Sequence, residues 1–169
     1  MPITSGFTYS CSDSAIGGIS DLWIANASEL TSVAFTGEVI TGINMQSNKV
    51  FYKITFEDDG CSFTEAVEVT NNRVLYKPEY KVKIGHRTAA ARAFINALKG
   101  CERFVVAHKE RATGVNWMTG YLLTQGLRLV SAAQQTGNTI ADENMIELTI
   151  GHPVGVQNPA ATVSATIPV

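Results

Sequence analysis

Charge is what this sequence is shortest of. Asp, Glu, Lys and Arg make up 17% of the 169 residues, against roughly 25% in an ordinary soluble domain. The formal net charge is −2, so no global basic field draws the chain to nucleic acid or anionic lipid. Long apolar runs are missing too. Mean hydropathy is +0.07, yet no stretch approaches the ~18 residues of a membrane span. A chain this poor in charge either hides surface against partners or is a plain β domain rich in Thr, Ser, Asn and Gly.

Cysteine is scarce. Cys11, Cys61 and Cys101 are odd in number and far apart, fit neither a zinc spacing nor a disulfide framework, and read as reduced thiols of a protein made in a cytosol. The stretch Met1–Ser10 has neither a basic n-region nor an apolar h-region, so export by the standard route is not expected. Gly-x-Ser-x-Gly, Gly-x-Gly-x-x-Gly and Walker patterns are absent, which removes the nucleophile elbow and the common phosphate cradles. His86, His108 and His152 fall singly at predicted element boundaries, and a metal site needs convergent ligands. No catalytic residue, metal or cofactor is expected; the chain reads as a non-enzyme.

What the sequence has is strand. Between Arg103 and Pro153 a β-branched run at Phe104–Ala107, a turn at Thr113-Gly114, a run at Val115–Leu123 and a break at Gln125-Gly126 lead into Leu127–Ser131. After a polar loop, Ile146, Leu148 and Ile150 alternate with Glu147, Thr149 and Gly151. Tight turns leave no room for crossovers, so a meander of about four antiparallel strands is expected. Earlier, Phe51–Glu57 alternates up to Asp58-Asp59-Gly60 and Phe63–Val69 returns, predicting a hairpin. Asn71-Asn72 predicts a second tight turn, into Arg73–Tyr76 and Tyr80–Ile84. Pro78 lacks a ladder donor, so that strand is either at an edge, where it offers a docking site, or broken at Pro78. Gly37 and Gly42 read as bends or bulges within Ser32–Met45.

One helix interrupts the strands, at about residues 88–99. Thr88 is placed as N-cap and Gly100 beyond the C-terminus, with Ala91, Phe94, Ile95 and Leu98 as an apolar stripe lying on a sheet. Residues 1–20 read as an arm or loop, 21–152 as the β domain, and 153–169 as an extended C-terminal arm. From Pro153 to Val169 there is no ionisable side chain, and Val163, Ala165 and Ile167 alternate with Thr162, Ser164 and Thr166. Such a segment either folds back on its own domain or adds to a neighbour's sheet edge. In the second case its deletion would leave the domain folded and abolish assembly.

The run Phe104–His108, Gly114, Trp117, Gly120-Tyr-Leu, Gly126-Leu-Arg-Leu-Val-Ser, Thr136-Gly137, Asp142 and Ile146–Ile150 resembles tail tube (major tail) proteins of tailed bacteriophages over about residues 85–152. The resemblance implies a mainly β fold: an antiparallel β-sandwich or half-barrel with one flanking helix. It also implies a structural virion protein that forms stacked, hexameric rings whose lumen conducts phage DNA, assembled in the host cytoplasm and residing in the virion tail. The implied partners are sister copies, other virion tail proteins and DNA passing non-specifically, with no membrane. Acidic side chains facing the lumen would keep phosphates moving, and Glu38, Glu57, Asp58, Asp59, Glu65 and Glu68 are the candidates. Asp58, Asp59 and Gly60 are the candidate inter-ring loop, and Tyr80, Val82, Ile84, Ile146, Leu148, Val163 and Ile167 the candidate subunit interface. Two other readings use the same residues: another phage structural β protein, for capsid decoration or head–tail joining, and a carbohydrate-binding sandwich stacking sugars on Trp23, Trp117, Tyr121 and Tyr76.

Overall fold

A computed structural model describes residues 17–85, 88–99, 102–122, 124–136 and 144–169. Most of the N-terminal arm, with Cys11, lies outside these residues, as do His86, Arg87, Gly100, Cys101 and Asp142. The first strand, β1 (Ile19–Asn26), runs through a single 3-10 turn into β2 (Leu30–Thr36), which turns at Gly37 into β3 (Val39–Met45). Then come β4 (Tyr52–Ile54), β5 (Cys61–Thr70), β6 (Arg73–Gly85) and the helix α1 (Ala89–Leu98). The remainder is β7 (Phe104–Glu110), β8 (Asn116–Thr119), β9 (Arg128–Gln135), β10 (Met145–Gly151) and β11 (Ala161–Val163).

These strands form two sheets, one of seven strands in the order β2-β3-β11-β8-β7-β1-β4 and one of four in the order β5-β6-β10-β9. Every ladder is antiparallel except β11 on β3. The protein is thus mainly β, a sandwich of two sheets with one flanking helix.

The middle of the larger sheet, at β7 and β1, is buried on both faces, while its end strands β2 and β4 are largely exposed. On one side Leu22, Ile24, Phe104 and Val106 meet Tyr80, Val82, Ile146, Leu148 and Ile150 of the smaller sheet. On the other, Ile40, Phe51, Val105, Ala107 and Met118 form a second core with Val163 and Ile167. Burial on both faces accounts for the unbroken apolar run Phe104–Ala107, because alternation is lost when neither face meets water. The helix closes the first core: Ile95 and Leu98 are buried, with Ala91 and Phe94 packed beside them, and Thr88 Oγ1 accepts from the Ala91 N–H at 3.0 Å as the N-cap. That is the stripe and cap expected from spacing, while Arg92 stays exposed.

Three expectations are corrected. The turn Asp58-Asp59 forms, with Asp59 at φ 58°, but it joins no hairpin: β4 pairs with β1 in the larger sheet and β5 with β6 in the smaller. Its backbone instead pairs with the end of β6, through Glu57 N–H to Lys83 O (3.1 Å) and Lys83 N–H to Gly60 O (2.6 Å), making a corner between sheets.

The predicted meander is likewise two hairpins in different sheets, β7–β8 and β9–β10. Gly120, at φ 71°, ends β8, and a Cβ there would lie 2.8 Å from the Phe104 carbonyl oxygen. Gly120→Ala is therefore expected to destabilise by about 1–3 kcal/mol, read by chemical denaturation; an unchanged midpoint would show that the corner tolerates a side chain.

The third correction concerns edges. β6 runs unbroken through Pro78 between β5 and β10, and β10 lies between β6 and β9. Both are interior strands. The missing proline donor is tolerated because β10 ends at Gly151, opposite Glu79, so β6 loses its second neighbour at Pro78.

The C-terminal segment folds back on its own domain. β11 inserts between β3 and β8, the Ser164 N–H donates to Ile40 O at 2.9 Å and the Phe51 N–H to Pro168 O at 2.8 Å. The expected arm reaching a neighbour is replaced by a strap that completes this chain's own sheet.

Candidate assembly surfaces

With the middle of the larger sheet covered on both faces, the outward side of the smaller sheet is a broad open surface. Directly opposed residues in an antiparallel pair share a face, so the register sorts its side chains. Cys61, Phe63, Tyr80, Val82, Ile146 and Leu148 look into the core, and Glu68, Lys77, Glu79, Lys81, Lys83, Glu147 and Thr149 look away from it. Arg128 and Arg73 join the outward set. Lys77 pairs with Glu68, Lys81 Nζ lies 3.5 Å from Glu79 Oε1, and Lys83 stands opposite Glu147. Exposed pairs of this kind add little to stability.

This sheet ends in unpaired strands. Among the described residues β5 pairs only with β6, and β9 only with β10; from Val130 to Gln135 every residue of β9 is exposed. The β5–β6 hairpin also outruns the sandwich. Val67, Val69 and Val74 lie on its core-side row beyond the last opposing strand and are 61%, 68% and 46% exposed. Its tip is a turn with Asn71 and Asn72 both at positive φ (52° and 59°), the geometry that suits the twist of a two-residue hairpin.

The candidate interface residues fall elsewhere. Tyr80, Val82, Ile146 and Leu148 are at most 1% exposed, Val163 and Ile167 are buried, and Ile84 is half-buried against the same core. Their alternation marks this chain's own interior, so they are not an interface. The acidic candidates do not converge either. Glu38 follows Gly37 in the β2–β3 turn of the larger sheet, and Glu57, Asp58 and Asp59 lie at the corner between sheets, Asp59 bonded to Arg111. Gly60 is buried, which removes it from an inter-ring loop.

Glu65 faces inward and accepts the Ala160 N–H at 2.8 Å; burial raises its carboxyl above the ordinary value. Only Glu68 lies on the outward face of the smaller sheet. The lysines there were legible as Lys77, Lys81 and Lys83 alternating with buried positions of β6. The exposed valines were not, since sequence does not say where the opposing sheet stops.

A polar cluster sits between the sheets. Tyr80 Oη lies 2.8 Å from His108 Nδ1 and 3.0 Å from Thr119 Oγ1, whose hydroxyl donates to Val106 O at 3.3 Å. With the threonine proton on that carbonyl, Tyr80 donates to Thr119 and accepts from His108 Nδ1–H. Phe63 packs on both rings, at 4.7 and 4.8 Å between centroids. Burial pushes His108 down to about 4 and the Cys61 thiol up to about 12, leaving the thiol inert. Tyr80, His108 and Thr119 are at most 2% exposed and bonded to one another, so the cluster reads as core.

The candidate sugar-stacking residues do not share a surface. Trp23 and Trp117 project to opposite faces of the larger sheet, being opposed to Ala107 and His108 respectively. Trp117 and Tyr121 do line one groove of about 480 Å³ with Phe35 and Glu38, although Tyr121 is buried and its hydroxyl donates to Pro159 O at 3.0 Å. Among the described residues no cluster of His, Cys, Asp and Glu is arranged to hold a metal ion. No helix among them is long and apolar enough to cross a membrane. Compared with family models, with curated proteins and with solved structures, this chain has no match.

Proposed function

We propose that this chain is a tail tube subunit, a structural virion protein whose copies join the edges of their four-stranded sheets into a closed ring. The observation that carries this reading is that β5 and β9, on opposite sides of a sheet whose outward face is polar, each pair with one strand only among the described residues. Exposed edges invite pairing, and closure into a ring removes both edges of this sheet. Six copies, as the resemblance implies, would bring four strands each to one barrel, well beyond the ~16–18 strands at which barrels already leave an open channel. The bore would then be faced by the outward side of this sheet and would admit DNA without base contacts.

Stacking of rings is assigned to the β5–β6 hairpin. Its uncovered valines form an apolar strip projecting past the subunit's own core, and such strips favour contact with a neighbour. Val67→Asp together with Val69→Asp is expected to leave the subunit folded, because both side chains are exposed already, and to shorten tubes to single rings in negative-stain images. Tubes of unchanged length would remove the hairpin from the stacking contact. The ring itself is tested by imaging the purified protein at high concentration, where rings of uniform diameter are expected and a strictly monomeric protein would contradict the reading.

A second reading keeps one specific observation, the Phe35, Trp117 and Tyr121 groove. A carbohydrate-binding module would give reproducible glycan-array hits that Trp117→Ala abolishes. Tail tube assembly predicts none.

A further inference from the structure

We propose that Glu68, Glu79 and Glu147 act as built-in counterions that keep the lysine-bearing face of the four-stranded sheet from retaining a double-stranded polyphosphate. Lys77, Lys81 and Lys83 lie on one side of β6. At about 3.3 Å per residue they span roughly 20 Å, a row that, left alone, would track a phosphate backbone.

Each lysine has a carboxylate of this same chain as its neighbour. Lys77 is bridged to Glu68 across the β5–β6 ladder, Lys81 to Glu79 one pleat along the strand, and Lys83 stands across the β10 ladder from Glu147. The three carboxylates come from three different strands, and each falls on the outward face. The bridged side chains are between 37% and 56% exposed, so their energetic consequence is not stability. It lies in what a passing polyanion meets: cations already neutralised, which release few counterions when phosphates approach and so bind weakly. The corner acids Glu57, Asp58 and Asp59 also stand beside Lys83 at the end of the row, so the test is confined to the three carboxylates of the outward face.

The role of such a face as the wall of a bore rests on the ring proposed above; the electrostatics do not, and can be measured on unassembled protein. The experiment is fluorescence anisotropy with a labelled duplex DNA over a salt series, comparing the wild type with the combined Glu68→Gln, Glu79→Gln and Glu147→Gln variant. The wild type is expected to bind weakly. The variant should bind at least about tenfold more tightly at low salt, and its plot of log K against log salt should steepen by about 2 to 3, close to 0.9 per unmasked cation. Adding Lys77→Gln, Lys81→Gln and Lys83→Gln should reverse the gain.

A control variant, Glu38→Gln with Glu102→Gln, removes acids outside the four-stranded sheet, in the β2–β3 turn and just before β7, and should gain much less per charge removed. An equal gain per charge in the control, or no gain in the first variant, overturns the proposal. Should the triple change disturb folding, Glu79→Gln and Glu147→Gln taken singly should each steepen the slope by about one, and unchanged slopes overturn it equally. Rings seen without any gain in affinity would remove the counterion role and leave the tube reading standing; a gain without rings would do the reverse.

Discussion

A chain lacking Pro153–Val169 is expected not to fold cooperatively. The deleted segment supplies β11, which joins β3 to β8 in the larger sheet. It also covers Ile40, Phe51 and Met118 with Val163 and Ile167, and it pairs with Tyr76 through reciprocal bonds of 2.8 and 2.7 Å at Val156. Fully burying Val156, Val163 and Ile167 contributes about 1.5–3 kcal/mol each as an upper estimate. Their sum rivals the whole ~5–15 kcal/mol by which domains of this size are stable. Acceptors such as Ile40 O would lose partners at the same time. Thermal unfolding followed by circular dichroism should show no cooperative transition in the truncated protein. A transition within a few degrees of the full-length chain would mean that the strap is dispensable. This reverses the outcome expected for an arm that serves only a neighbour.

Acid is expected to weaken the fold through one buried imidazole. His108 has a folded pKa near 4 because burial opposes its charged form, against about 6.5 in an unfolded chain. A depressed value means that the contribution is fully present above pH 6.5 and is lost as pH falls through 4. At about 1.4 kcal/mol per pKa unit it amounts to about 3 kcal/mol. Tyr80 is held neutral by burial and contributes nothing in this range, whereas Glu65, its carboxyl raised by burial, takes up its proton first in the folded state and so offsets part of the loss, equally in the two proteins compared. Asp21 and Glu29 are held low by Lys53 and Lys49, so their losses come at lower pH. His152 is lowered as well, by burial and then by Arg128 and Arg103, which makes a paired comparison necessary. Unfolding free energy should fall by about 3 kcal/mol more between pH 6.5 and 4 in the wild type than in His108→Gln. Parallel curves would show that His108 keeps its ordinary titration.

The sequence carried the local structure well and the pairing poorly. Thr88, Ala91, Phe94, Ile95 and Leu98 sit as their spacing predicts because cap and stripe depend on residues three and four apart. The Asn71-Asn72 turn is local in the same way. Alternation at Phe51–Glu57 and Phe63–Val69 showed two strands and a turn, yet nothing local tells a hairpin from a corner, since the two leave the same two-residue period. Tyr80 and Val82 looked like an open edge because Pro78 lies in the same strand, whereas long-range pairing with β5 and β10 buries them. The missing charges of residues 153–169 were the right signal with two readings: a segment covered by protein needs no charge, whether the cover is a neighbour or its own domain. That β5 and β9 each have one strand neighbour among the described residues had no signature in sequence at all.

The central claim is that β5 of one copy lies beside β9 of the next. Thr64 and Ala133 are exposed on those strands and belong to the outward face. In a background with Cys11→Ser and Cys101→Ser, Thr64→Cys combined with Ala133→Cys should be joined between subunits by a short bismaleimide. A denaturing gel should then show a ladder that stops at one closed-ring size, while either substitution alone stops at dimers. A double variant that cross-links no further than the single ones would contradict the account.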